Sequence, residues 1–471
     1  MMDKRVRFLV LIGFASRLYA LTRTRGMMHF DNLYQLLEPA HRMVFGYGFV
    51  PWEYVHGMRS MLQPTLIALV FKLGFNIGFT GVNSIVFINR IIITICSMAL
   101  LYIIYEASSV VYGRKAGFYS LFFGVFSGLL WVWSADTSST IPATLFTTLS
   151  MLLFYRAWNE GSGNNYFISG ISMGVAFMFR FDSMLFIVPL TLFTLAGKKY
   201  KNIGFFVRGM VVMLALQGVL DYITWGSFLH SPISFVSQNL YHSKSSLFGT
   251  HPPYFYVVVL ALHMSCLFLL PYAVERKPGF IFLSMSLVFF FLAYSLVPHK
   301  EMRFMVPALP LLFIIAGRGM EKFIEANGRT LAYGLLALTV LQGAYTSSDI
   351  GWDDYWGNMQ AMEYVGLQAD SMGVAYTMPW FESGAYTYLN RKIPAVFISE
   401  RAMDPGLEMV DCGRPSMDLI GFQCSPLDQV LAEDGINYLI AGDDRVDDVL
   451  TANRFALVME YDGVRVYRKA G

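Results

Sequence analysis

A chain of 471 residues that is 55% hydrophobic and 16% aromatic but only 14% charged falls outside soluble-domain composition, in which about a quarter of residues are charged. Long apolar runs fill its first three quarters, so it reads as a polytopic membrane protein. The formal net charge of +2 marks out no acidic partner, and nothing points to nucleic acid.

Val6–Leu21 follows a basic start with no small-residue cleavage site after it, and reads as a retained first helix with Arg17 near its outer end. The polar segment 22–60 comes next, including "HFDNLYQLLEPAHRMVFGYGFVPWEY". Asp31 precedes a helical pattern there, and two readings stand. It is a first-turn acid, favourable at a helix N-terminus, or a general base at the bilayer boundary. Glu38 and Glu53 are the nearby carboxylates; Glu53, beside Trp52, suits structural pairing with Arg59.

Apolar runs at 6–21, 84–107, 116–134, 139–156, 167–180, 183–197, 203–220, 254–273, 279–297, 304–318 and 330–346 are candidate spans, several shorter than the ~20 residues a full crossing takes. The run 61–80 is interrupted by Pro64, Lys72 and Asn76, and is either a span or a helix along the interface. Basic loops decide, because short cytoplasmic loops carry excess Lys and Arg. If 61–80 lies on the surface, "DKRVR", "YGRKAG", "GKKYKN", "ERKPG" and the basic stretch 317–329 all fall inside. About eleven spans and an external C-terminus result. Cys96 and Cys266 lie in apolar runs as packing residues, whereas the spacing of Cys412 and Cys424 allows a disulfide in an oxidising compartment.

That orientation gathers the segment 22–60, "SADTSST" (134–140), "RFDS" (180–183), the loop 221–253 and "HKEMRF" (299–304) on the external face. In "HKEMRF", two fixed cations and a histidine at headgroup depth suit a lipid-linked phosphate; cations that flank helices and snorkel are the plainer alternative. The loop 221–253 has His242, Lys244, His251 and aromatics that suit either a sugar or an interfacial belt. Arg180 and Asp182 suit pairing with each other. No metal-ligand spacing occurs in these loops.

From about Ser347 the composition turns α/β, with strand candidates in "MGVAYT", "PAVFI", "INYLIAG" and "FALVMEY" and a hairpin at Asp462-Gly463. No glycine-rich phosphate loop follows these strands.

Together these stretches resemble glycosyltransferase family 22, the lipid-phosphate-mannose-dependent mannosyltransferases of the GT-C superfamily. "HKEMRF" is similar to the family's His-Lys-Glu-x-Arg-Phe signature, and the stretch around Asp31 to its first external loop with a Gly-x-Gly and a Trp-Glu. "RSMLQP" resembles its Arg-Ser-x-x-x-Pro, and "SSLFGTHPPYFY" its Tyr-Gly-Thr-His-Pro loop. The likeness covers about residues 5–345. Phe30 and Asn32 stand where Pro and Glu are usual, which leaves a second acid unfilled; Phe248 and Pro253 also depart.

The resemblance implies an all-α polytopic GT-C domain over 1–346, while composition and the basic-loop orientation make 347–471 an external soluble α/β domain. It implies inverting transfer of mannose from a polyprenyl phosphate donor to a lipid-linked or protein-linked glycan. Asp31 is then the catalytic base, and His299, Lys300 and Arg303 bind the donor phosphate. Glu301, Glu53 and Arg59 support them, and Asn239, His251, Trp52 and Asp221 face acceptor or sugar. The scheme requires no metal or cofactor, since one phosphate needs less neutralisation than two. Beyond donor and acceptor, the only partners expected are membrane lipids. The membrane is the plasma membrane in a prokaryote or the endoplasmic reticulum in a eukaryote. The rival classes are a transporter or flippase for lipid-linked sugars, whose usual internal repeats are not seen, and a non-catalytic assembly subunit.

Overall fold

The computed structural model describes residues 3–79, 81–200, 202–348, 351–398, 420–423, 427, 431, 435–442 and 447–470. Cys412 and Cys424 lie outside the described residues. Contacts divide the chain into one unit of Met1–Thr22, Ser60–Leu62 and Arg90–Ile350 and another of Arg23–Arg59, Gln63–Asn89 and Gly351–Gly471.

The first unit is helical, and each of the eleven apolar runs falls on helix. Among the described residues, Val82–Tyr112, Ile203–Trp225, Pro278–Leu296 and Met302–Asn327 are each long and apolar enough to cross a membrane. The number rises to six if the bent pairs Arg114–Phe126 with Gly128–Ala135 and Phe255–His263 with Ser265–Ala273 each count as one. The bends, 61° and 94°, have identifiable polar supports, as irregular backbone in an apolar setting must. At the first, the fully buried Arg17 guanidinium donates to the carbonyls of Gly124 and Val125, at 3.0 and 2.9 Å, where the dipole favours a cation. At the second, Gln342 accepts the N–H of Ser265 and donates to the carbonyl of Leu262.

Elsewhere the helices Gly163–Phe179 and Ile203–Trp225 meet through glycines. A Cβ on Gly170 would lie 2.1 Å from the Phe206 carbonyl, and one on Gly209 2.3 Å from that of Phe167, the small-residue packing common between membrane helices.

Among the described residues, the second unit is built on a six-stranded sheet: β1 Val374–Tyr376, β2 Ala395–Ile398, β3 Ile420–Gln423, β4 Tyr438–Ala441, β5 Phe455–Tyr461 and β6 Val464–Lys469, in the order β3-β2-β1-β4-β6-β5. The first four run parallel and β6 and β5 antiparallel. Central β1 and β4 are buried throughout, as parallel strands covered on both faces are. The β5–β6 turn is at Asp462-Gly463, where φ of 52° and 76° gives the two left-handed residues of a tight hairpin. Sequence patterning missed β3.

Alternate residues separate the sheet's faces. Ala375, Val396 and Leu439 pack with Leu431, Ile436 and Leu450. Val374, Tyr376, Phe397 and Ile440 face a larger core holding Met359, Met362 and Val365 of the helix Trp356–Leu367, together with Leu33, Leu37, Ala40, Ile67 and Phe71. The run 61–80 is the helix Leu62–Asn76, which buries Ile67, Ala68 and Phe71 and leaves Leu66, Leu69 and Leu73 exposed. At 15 residues it is shorter than a span, and its two apolar faces suit a helix lying along an interface.

Candidate functional site

The second unit carries the acidic group. A helix begins at Asp31 and runs to Phe45, with a π-helical stretch over Leu33–Leu37; such insertions often mark functional sites. Gly46, at φ 77°, ends it in the left-handed conformation. The backbone N–H of Asp31 donates to His29 Nδ1 at 3.2 Å, and the same nitrogen lies 3.6 Å from Asp31 Oδ2. The Asp31 side chain keeps 15% of its surface exposed.

Glu53, on the turn Trp52–Val55, is buried. Its Oε1 accepts Gln35 Nε2 at 2.8 Å and lies 3.7 Å from Arg59 Nη2, so the expected pairing with Arg59 is present. Burial raises the Glu53 pKa, Arg59 opposes the rise, and the Asp31 charge adds to it. The charge on Asp31 thus bears on Glu53, whose partners are Gln35 and Arg59. Trp52, half-buried, has its ring 6.2 Å from that of His56.

The first unit carries the cationic group, at the entrance to Met302–Ala308 and the helix Leu309–Asn327. Glu301 Oε2 lies 2.5 Å from Arg303 Nε, and its Oε1 accepts Arg303 Nη2 at 3.1 Å and lies 2.9 Å from His299 Nε2. His299 Nδ1 is 2.9 Å from the Gly249 carbonyl. The Gly249 carbonyl and the Glu301 carboxylate are both acceptors, an arrangement that favours the protonated ring. Burial alone would lower its pKa, but the bonds to Glu301 and Gly249 raise it.

Lys300 does not have the expected arrangement. It is buried, and its ammonium donates to the carbonyls of His251 at 3.0 Å, Pro298 at 3.5 Å and Val297. Three protons meet three carbonyls, so in this arrangement Lys300 joins the signature to the loop 249–252. The His251 N–H, donating to Pro298 O at 3.0 Å, completes the join.

The remaining expected residues are spread through this unit. The exposed His251 ring stacks on Phe255 at 4.3 Å. Asn239 donates to the Phe235 carbonyl of its own turn. Asp221 is fully buried and accepts Gln217 Nε2, the Ser231 N–H and the Ser231 hydroxyl. Its carboxylate is taken up by these donors, which anchor the start of the loop 226–253. Arg180 and Asp182 pair as expected, at 2.7 Å, and Tyr294 donates to Asp182. The Arg180 and Arg303 guanidinium carbons each lie 5.6 Å from the Phe304 ring centre. Gln35, Gln217, Ser231 and Tyr294 were not singled out from the sequence; each is an ordinary residue whose importance lies in a distant partner.

The family model described as the Alg9-like mannosyltransferase family matches residues 8–351. GPI mannosyltransferase 3 of Yarrowia lipolytica is 24% identical over 401 residues, covering 84% of this chain and 77% of that protein. GPI alpha-1,2-mannosyltransferase 3 of Bos taurus is 24% identical, covering 78% and 69%. Among solved structures, ArnT from Cupriavidus metallidurans bound to undecaprenyl phosphate aligns with a TM-score of 0.72 at 11% identity, over 99% of this chain and 98% of that one. The Archaeoglobus fulgidus oligosaccharyltransferase aligns at 0.53 and 10% identity, over 92% and 69%. Both are GT-C enzymes, and the likeness is one of fold.

Proposed function

The chain belongs to the Alg9-like mannosyltransferase family and is a membrane glycosyltransferase; from that premise we propose that it transfers mannose, with inversion, from a polyprenyl phosphate to a lipid-linked glycan on the external or lumenal face. The observation that carries the donor assignment is Arg303: a buried guanidinium beside an imidazolium, at the mouth of a helix of membrane-crossing length. A guanidinium fork fits one phosphate in the geometry with which it now meets Glu301. The names of the relatives support a glycolipid acceptor and an α linkage. The reading includes about eleven crossings and an external carboxy-terminal domain.

In this scheme the acceptor hydroxyl gives its proton to the Asp31 carboxylate as its oxygen attacks the anomeric carbon. The carbon–oxygen bond to phosphate breaks on the opposite side, and its electron pair leaves with the phosphate. A β-linked donor thus becomes an α-linked product. Arg303 and His299 stabilise the charge growing on the phosphate, where fixed cations act most strongly. The leaving group is already a stable anion, so the scheme calls for no strong general acid and no metal. Lys300 keeps the loop 249–252 in place.

The test is product analysis after incubating purified protein with lipid-phosphate mannose and a panel of lipid-linked glycans, beside Asp31→Asn. The expected result is an α-mannosylated product from the native protein and none from the variant. Full transfer by well-folded Asp31→Asn rules out the base assignment.

A further inference from the structure

Glu38 takes no part in the proposed chemistry, yet it is fully buried and gathers four hydrogen bonds. Oε1 accepts the N–H groups of Phe49 at 2.6 Å and Tyr386 at 3.3 Å; Oε2 accepts the N–H and hydroxyl of Thr387 at 2.8 and 2.6 Å. A carboxylate removed from water needs donors of this kind. Its neighbours on the same helix reach the same short segment. Tyr34 donates its hydroxyl to the Trp380 carbonyl at 2.5 Å and lies 2.8 Å from Ser383 Oγ, and His41 Nε2 lies 3.2 Å from Asn390 Oδ1. Leu33, Leu37 and Ala40 share a core with Tyr386 and Leu389. Residues three and four apart share a helix face, so positions 34, 38 and 41 hold one face of the helix that begins at Asp31.

We propose that residues 380–390 of the carboxy-terminal domain are the positioning element for the catalytic base, with Glu38, held by Tyr386 and Thr387, as the positioning residue that fixes where Asp31 stands. The inference rests on the reading of Asp31 as the base. The two acids stand seven positions apart, about 10 Å at helical rise, so a displacement at Glu38 is carried along the helix to its first turn. Misplacing a reacting group by an ångström can cost about a hundredfold in rate.

The test uses the full chain in lipid nanodiscs with Glu38→Gln, Thr387→Val and Asp31→Asn. Transfer is expressed per donor site, counted by binding of lipid-phosphate mannose, so that a smaller folded fraction cancels. Glu38→Gln is expected to bind donor within about twofold of the native affinity and to transfer about 10- to 100-fold more slowly per site. The midpoint of the acidic limb of its pH–rate profile should also move, as Asp31 shifts relative to His29, Glu53 and Arg59. Native per-site rate and midpoint in Glu38→Gln overturn the proposal. If Glu38→Gln does not fold, Thr387→Val, which deletes one hydroxyl bond, decides, with an expected loss of about 3- to 10-fold per site; donor binding that falls in step with rate overturns the proposal there. Full activity in Asp31→Asn defeats the base reading itself, whereas an inactive Asp31→Asn beside a fully active Glu38→Gln defeats only the anchor.

Discussion

Glu301 grips Arg303 with both carboxylate oxygens, one 2.5 Å from Nε and the other 3.1 Å from Nη2. A donor phosphate at Arg303 must therefore compete with Glu301 for the same fork. Glu301→Gln should bind a short polyprenyl phosphate several-fold more tightly, because a negative charge at the site has gone. Arg303→Lys should bind it about 10- to 100-fold more weakly, because a single ammonium cannot replace the bidentate contact. Titration of both variants with the same lipid phosphate checks the pair, and weaker binding by Glu301→Gln would show that Glu301 supports the anion and does not compete with it.

Lys300 leads to the opposite expectation from the one its place in the signature suggests. Its ammonium joins the carbonyls of Val297, Pro298 and His251, and a hydrogen bond to a charged group contributes about 1.5–3 kcal/mol. Lys300→Met should loosen residues 249–252, seen as faster amide exchange there, and raise the acceptor KM by about tenfold. Lipid-phosphate affinity should stay within about threefold of native. A larger loss of phosphate affinity would return Lys300 to the donor site.

The pH dependence of the same loop follows from His299. Its pKa is raised in the folded protein because Glu301 and the Gly249 carbonyl both accept from the ring. A raised folded-state pKa means stabilisation that is complete below the unfolded value of about 6.5 and is lost as pH climbs through the folded one. The native protein should therefore lose thermal stability relative to His299→Gln between mildly acidic and alkaline pH, with exchange at Gly249 rising in parallel. A difference between the two melting curves that stays constant across that range contradicts the imidazolium assignment.

Several of these features were legible in the sequence because they are local. "HKEMRF" and the Asp31 stretch are contiguous motifs, the strands other than β3 announce themselves by β-branched and aromatic runs, and Asp462-Gly463 is a turn by chemistry alone. What stayed hidden depends on partners far along the chain. Lys300 is charged and next to a helix in any reading; only the approach of the carbonyl of His251, 49 residues earlier, makes it a loop tether. Asp221 reads as an external acid until Ser231 folds back on it. Glu38 is one of several acids until the donors of Tyr386 and Thr387, 348 and 349 residues later, arrive. Hydrophobic periodicity reports that a helix exists, not which distant backbone will meet its polar residues.

The Gly-x-Gly after the Asp31 helix separates into two glycines with different duties. Gly46, at φ 77°, has nothing within 4 Å of where a Cβ would sit, whereas at Gly48, at φ 139°, a Cβ would lie 2.9 Å from Glu38 Oε1. That oxygen is not free to move aside, because it accepts the N–H groups of Phe49 and Tyr386. Gly46→Asn should therefore be nearly silent, since asparagine tolerates the left-handed region. Gly48→Ala should cost about 1–3 kcal/mol through backbone strain alone, and more if the Glu38 bonds are disturbed. Thermal unfolding of the two variants side by side measures the contrast, with a drop in midpoint of a few degrees for Gly48→Ala. Equal melting temperatures would mean that the chain can turn at Gly48 without the glycine, and that the close packing against Glu38 does not hold the helix in place.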